Sequence, residues 1–312
     1  MNRITICLLA AACLTITACH KKEDASLYLN SCVDKIGSGN IAGAIADCTK
    51  AIEVDPKMSA AYVNRSYARL GIRNFDGAIA DATEAIQMGD MSGYSARGQA
   101  KQLSGDLSGA IEDITKAIEL QPTAIAYELR AKFRYEKESG RVDADKGQMA
   151  GVSKGELALV VTDCTKAVTM DSGLADAYAT CGFAKKLLGD DGGAITDFSQ
   201  AIVLKPQNAV PYMGRCGVEL AVRNFPQSVA DCTKAIALKP DYEDAYAIRG
   251  LARASTGDLD GGIADYDTVI QLEPASGPAY STRGDIKKVK GDIAGANADY
   301  AKATALGFDG FR

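Results

Sequence analysis

A tyrosine returns at a near-constant interval along this 312-residue chain, at Tyr28, Tyr62, Tyr94, Tyr127, Tyr178, Tyr212, Tyr246 and Tyr280. Six of the seven intervals are 32–34 residues and one is 51. An aspartate column keeps the same spacing: Asp47, Asp81, Asp113, Asp163, Asp197, Asp231, Asp265 and Asp299. Whole words recur with it, DCTKAI at Asp47–Ile52 and Asp231–Ile236, and DCTKAV at Asp163–Val168. A period of about 20–50 residues marks an array of small units, none able to bury its apolar face alone, that are stable only when stacked. Eight units are expected, the fourth carrying about 17 extra residues.

The stretch Glu243–Pro274 shows what one period contains. Ala245, Ile248, Leu251 and Ala252 fall on one helical face, and TGD at 256–258 interrupts it. Ile263, Tyr266 and Ile270 restart the pattern, and Pro274 stops it. Elsewhere β-branched residues stand singly among Ala, Asp and Lys rather than in alternating runs, so the expected fold class is all-α.

Two helices per 34 residues, with Tyr246, Gly250, Gly262, Tyr266, Val269 and Pro274 in the signature columns, resemble the tetratricopeptide repeat. The resemblance covers roughly residues 25–307. Tyr stands where the family usually has its first Trp, Arg249 where it has Leu, and Gly262 and Val269 where it has Ala. The resemblance implies a right-handed α-solenoid of about eight helix-turn-helix units, with a concave groove lined by the first helices. The columns it assigns to that groove carry Leu29, Val63, Tyr67, Leu70, Tyr135, Phe183, Met213, Leu220 and Leu251. Glu128, Lys132, Asp176, Lys186, Asp244 and Asp285 are interspersed. Apolar anchors among scattered charges suit an extended peptide or a partner helix. The same columns are where neighbouring first helices pack, and the letters leave both roles open. The Lys and Asn set with which the family's carboxylate clamps hold chaperone tails is missing.

The first twenty residues, MNRITICLLAAACLTITACH, form a separate segment: a basic start at Arg3, an apolar stretch from Ile4 to Thr17, then ITAC ending at Cys19. The stretch is shorter than the roughly 20 residues a spanning helix needs, and it reads as a signal peptide. ITAC resembles the lipobox of bacterial lipoproteins, which implies cleavage after residue 18 and lipid on Cys19. Residues 19–26 become a polar tether, and 27–307 the solenoid. Several acyl chains hold a protein firmly where one binds only marginally. By the same resemblance, His20 in place of Asp points to the outer membrane, with the protein facing the periplasm.

A signal peptide places the chain in an oxidising compartment, where six mature cysteines besides Cys19 are read as bridges. Cys48, Cys164 and Cys232 share a second-helix column with Ala82, Ile114, Phe198, Tyr266 and Tyr300. Sixteen residues earlier, the first helices of the intact units carry Cys32, Ser66, Gly98, Gly182, Cys216, Gly250 and Gly284. Large faces small and Cys faces Cys, the reciprocity that tight packing imposes. Axes 8–10 Å apart leave facing Cα atoms roughly 4–6 Å apart, which is disulfide distance. Cys32–Cys48 and Cys216–Cys232 are therefore expected, and by elimination Cys164–Cys181. Buried free thiols are the alternative.

Arg65, Arg97, Arg130, Arg215, Arg249 and Arg283 recur with the aspartates. A catalytic pair is needed once and a structural pair at every interface, so ion pairing or helix-end hydrogen bonding between units is the expected role. Gly39, Gly71, Gly105, Gly189, Gly257 and Gly291 are expected in or near turns. The extra residues are expected as a polar loop near 138–155. Core columns turn polar in the last unit, at Asn297 and Thr304, as a cap requires. Residues 308–312 form a tail.

The net charge of -5 and the lack of any basic stripe exclude the electrostatics of nucleic-acid binding. The single histidine, His20, lies in the tether, and the cysteines lack metal-ligand spacing, so neither metal, cofactor nor enzyme activity is expected. The reading is a membrane-anchored, non-catalytic scaffold for a protein or peptide partner in the cell envelope. A surface-displayed adhesion or ligand-binding module is the alternative. The letters leave the partner's identity and the oligomeric state open.

Overall fold

The computed structural model describes residues 24–140 and 151–308, so Cys19, most of the insertion and the tail 309–312 lie outside the described residues. Among the described residues all regular structure is helical. The first four units pair α1 (Ala25–Gly37) with α2 (Ile41–Val54), α3 (Ser59–Gly71) with α4 (Phe75–Gln87), α5 (Ser92–Ser104) with α6 (Leu107–Leu120), and α7 (Ala124–Ser139) with α8 (Lys154–Met170). The next two pair α9 (Ala175–Leu188) with α10 (Asp191–Leu204) and α11 (Ala209–Ala221) with α12 (Phe225–Leu238). The last two pair α13 (Glu243–Ser255) with α14 (Leu259–Leu272) and α15 (Gly277–Lys290) with α16 (Ile293–Ala305). None of these helices is long and apolar enough to cross a membrane.

Each helix packs on the one before and the one after it, and first helices of successive units also touch, as α7 does α9 and α9 does α11. Second helices of successive units do not meet to that extent. Close first helices and splayed second helices make the array curve, with α7, α9, α11 and α13 on its inner side.

Local chemistry starts and stops the helices. Before most second helices an Asn or Asp caps the third helical residue, a glycine: Asn40 accepts from Gly43, Asp106 from Gly109, Asp190 from Gly193 and Asp258 from Gly261. A Cβ on Gly193 would meet Asp190 Oδ2 at 2.2 Å, so the cap and the glycine are chosen together. Unit 6 has Gln227 at that place, and there Asn224 makes no side-chain cap bond. The turn between helices needs one left-handed residue, supplied by Gly189 at φ 83°. In units 2 and 6 Arg73 (φ 58°) and Arg223 (φ 62°) occupy it instead, while Gly71, expected in the turn, ends α3 against Ile41.

The two facing columns show how the units fill their interiors. An added Cβ on Gly98 would lie 2.9 Å from Ile114, on Gly182 2.8 Å from Phe198, and on Gly284 2.7 Å from Tyr300. Where both residues are small the structure brings sulfur together: Cys32 and Cys48 have Cα atoms 5.4 Å apart, and Cys216 and Cys232 5.5 Å apart. In unit 4 the small partner is Ala131, and Cys164 instead meets Cys181 of unit 5 with Cα atoms 5.8 Å apart. The first two pairs join helices within a unit. The third joins two units.

The arginine column is a structural knot. Arg65 donates to both carboxylate oxygens of Asp81 (2.9 and 2.7 Å) and to the Thr49 hydroxyl of the preceding unit (3.1 Å), and lies 5.6 Å over the Tyr62 ring. The pattern recurs for Arg97 with Asp113 and Thr83, Arg130 with Asp163 and Thr115, and Arg249 with Asp265 and Thr233. Arg215 does the same with Asp231 and Ser199. The recurring DCTKAI thus has a division of labour: its Asp takes a cation of its own unit, its Thr takes the arginine of the next, and its Cys fills the interior.

Unit 5 breaks the pattern because Cys181 stands in the arginine column. Asp197 keeps only Lys185, whose Nζ is 2.7 Å from Oδ2 but outside hydrogen-bonding geometry, and burial pushes its carboxyl above the usual range. The core column expected to turn polar does so: Ile263 is half-buried, whereas Asn297 is exposed. The insertion is tighter than expected, since Glu138 and Ser139 close α7 and Lys154 and Gly155 open α8. Ser153 caps α8 by accepting from the Glu156 backbone N–H.

One charge pair works against the fold. Burial and the adjoining Glu273 push the Glu243 carboxyl from its ordinary 4.5 up to about 7. A carboxyl raised in the folded state contributes stability below its unfolded pKa and loses it as pH rises toward the folded one. Glu243→Gln is therefore expected to leave thermal stability unchanged at pH 4 and to raise it at pH 8, by no more than about 1 kcal/mol because Glu243 is only half-buried and Glu273 is exposed, so water screens the pair. Equal melting shifts at both pH values would contradict this.

Candidate partner groove

The inner side holds a cavity of about 460 Å³ between α7 and α9, closed at one end by the turn before α11. Helical spacing puts Glu128, Lys132 and Tyr135 on one face of α7, because residues four and three apart lie above one another. From α9 the same logic presents Asp176, Ala179, Thr180 and Phe183. Asn208 and Val210 complete the lining.

Two aromatic contacts fix the cavity floor. Tyr135 stacks on Phe183 with ring centroids 5.8 Å apart and planes 29° apart. Phe183 in turn receives Phe198 of α10 edge-on, at 4.8 Å and 76°. Phe198 reaches the inner side only because Gly182 and Gly214 clear its way: a Cβ would meet its ring at 2.8 Å on the first and 2.5 Å on the second. The column that fills unit 5 therefore also props up the groove.

The charges around the cavity are mostly matched. Lys205 holds Asp176 at 2.8 Å, and Lys132 faces Glu136 at 3.8 Å, which also accepts from Gln102. Lys186, further along α9, is pushed down by burial and partly restored by Asp244 and Asp191. Glu128 accepts no hydrogen bond and forms no ion pair among the described residues; burial, with Asp176 adding repulsion, pushes its carboxyl up. Burial also raises the Tyr135 hydroxyl, and it raises Tyr242, at the start of α13, to about 12.

Of the nine groove residues expected from the letters, the structure brings Tyr135 and Phe183 together in this cavity. Val63 lies in the core against Ala82, Ala85 and Ala96, with Tyr67 packed beside it. Leu29 packs on the Cys32 and Cys48 cluster. Leu70, Met213 and Leu220 are half-buried, and Leu251 is 38% exposed. Asn208 and Val210 went unnoticed because they belong to a turn and a first helical residue, outside the columns. Phe198 sits on a second helix, and only its two glycine partners signalled its reach.

Residues 92–123, the α5–α6 hairpin, match the tetratricopeptide repeat family model. Among solved structures, a tetratricopeptide repeat protein from Parabacteroides merdae aligns with TM-score 0.55 at 14% identity, covering 80% of this chain and 93% of that one. The fold is a tetratricopeptide-repeat solenoid. YrrB, described as a TPR protein with an unusual peptide-binding site, aligns with TM-score 0.50 at 21% identity over 63% of this chain and 93% of its own. MamA aligns with TM-score 0.47 at 24% identity, over 49% of this chain and 90% of its own. No curated protein matches this chain. Within this tetratricopeptide-repeat array, the arginine knots occupy the faces between helices, and the α7–α9 cavity is an inner-side opening lined by rings and an unmatched carboxylate.

Proposed function

We propose that this protein is a non-catalytic adaptor, tethered to a membrane through lipid on Cys19, whose groove takes up a segment of a protein partner in the cell envelope. One observation carries the binding role: the half-buried Tyr135–Phe183 pair lines a concave cavity on the inner side of the array, with Phe198 packed edge-on against Phe183. Rigid aromatic anchors in a concave site are what an extended segment needs, since they supply contact area at small entropic cost. YrrB, a TPR protein with an unusual peptide-binding site, is consistent with such use of the fold.

The anchor rests on the sequence. An apolar stretch ending in ITAC at Cys19 supports lipidation, and residues 19–24, ahead of α1, give a tether on the order of 20 Å. The outer membrane, facing the periplasm, is the setting this supports.

Phe183→Asp is expected to abolish capture of partners from solubilised membranes while leaving helical content intact, because it puts a charge where a segment would stack. Capture of the same proteins by wild type and variant would count against the groove. For the anchor, labelled palmitate is expected to enter the wild type and not Cys19→Ala; equal labelling would remove it.

A further inference from the structure

We propose that the cavity between α7 and α9 is a subsite for a cationic side chain, an arginine or lysine, of the bound segment, with the Glu128 carboxylate as its counter-charge. This rests on the groove reading above and adds the chemistry of what enters. The argument is one of charge balance. Every other ionised group lining the cavity has a partner: Asp176 has Lys205, and Glu136 has Lys132 and Gln102. Glu128 alone has neither hydrogen bond nor ion pair among the described residues, and the like charge on Asp176 repels it. Asp171 adds to that repulsion, while Lys205 and Lys132 offset it only at a distance. A half-buried carboxylate in this state gains more from an incoming cation than a solvated one does, because the low local dielectric strengthens the pair.

The apolar wall suits the rest of such a side chain. Leu129, Ala179 and Val210 line the cavity together with Glu128, and can cover the methylene stem of Arg or Lys while its charged head reaches the carboxylate. Tyr135 lies seven residues further along α7, about 10 Å along the axis. In an extended segment that span corresponds to about three residues. The rings therefore take an apolar side chain within two or three positions of the cation. An acidic segment is disfavoured at the same place, since it would set a third carboxylate beside Glu128 and Asp176.

Fluorescein-labelled, end-capped hexapeptide mixtures are the probe: the third position fixed as Arg, Lys, Gln or Glu, the other positions randomised. Anisotropy titrations use the full chain, its Glu128→Gln and Phe183→Asp variants, with circular dichroism as a folding control. The Arg and Lys mixtures are expected to bind wild type about tenfold tighter than the Gln mixture, the Glu mixture weakest, and Glu128→Gln to erase the preference. A preference for Glu, no preference at all, or one that survives Glu128→Gln overturns the cation subsite. Binding that ignores the fixed residue but falls with Phe183→Asp leaves the groove reading standing. Binding untouched by Phe183→Asp overturns the groove reading as well.

Discussion

Asp231→Ala is expected to destabilise the protein by about 3 kcal/mol, because it strands the Arg215 guanidinium in a largely buried site. Both carboxylate oxygens of Asp231 now accept from Arg215 at 2.7 Å, and their side chains are 5% and 18% exposed. Removing one charge of a buried pair exposes the desolvation cost of the other, whereas removing both replaces the pair with apolar contact. The double variant Arg215→Leu, Asp231→Leu should therefore recover most of the loss. Urea titration followed by circular dichroism measures both. A double variant as unstable as Asp231→Ala would show that the knot stabilises by more than charge compensation.

Removal of the bridge between units has the second large effect. Cys164 and Cys181 are separated by 17 residues, and closing a loop of about 15 residues is worth roughly 3 kcal/mol in the chain-entropy account. Cys164→Ala with Cys181→Ala is expected to cost that amount. Cys32→Ala with Cys48→Ala closes a similar loop but within one unit, 16 residues apart. The two losses should differ in kind. In an array held by nearest-neighbour contacts, weakening one interface uncouples the two halves. Hydrogen exchange should therefore accelerate across α7 to α10 in the first variant and stay confined to α1 and α2 in the second. Intact mass after alkylation without reductant should show none of these four thiols modified in the wild type. Modified thiols, or exchange confined equally in both variants, would defeat the expectation.

The unit-5 interface shows why the bridge belongs where it is. Cys181 displaces an arginine, so Asp197 loses the bidentate partner that Asp163 or Asp231 enjoys, and Thr165 loses its guanidinium. Cys164 and Cys181, with Cα atoms 5.8 Å apart, meet where the missing knot would stand. The same unit lines the inner cavity through Asp176, Ala179, Thr180 and Phe183.

Much of this was legible in the letters because a repeat writes its contacts several times over. Column reciprocity, Gly against Phe or Tyr and Cys against Cys, follows from fixed interhelical distance and the absence of free volume, and both are local. The cap pattern of Asx followed by Gly was present too, although its reason, that a Cβ added on Gly193 would lie 2.2 Å from Asp190 Oδ2, needs coordinates. The columns did not separate the inner cavity from the core: Tyr135 and Phe183 line the cavity, whereas Val63, from the same set of columns, packs inward against Ala82 and Ala96.

The sequence by itself determined the period, the helix pairs, the facing columns and the cysteine partners, because each depends on residues no more than one unit apart. Only the tertiary structure decided which inner residues stay open, that Phe198 reaches Phe183 through two glycines, and that Glu128 is left without a partner. Those outcomes depend on how neighbouring units lean on one another. The angle between units is set by all their side chains at once, and no column records it.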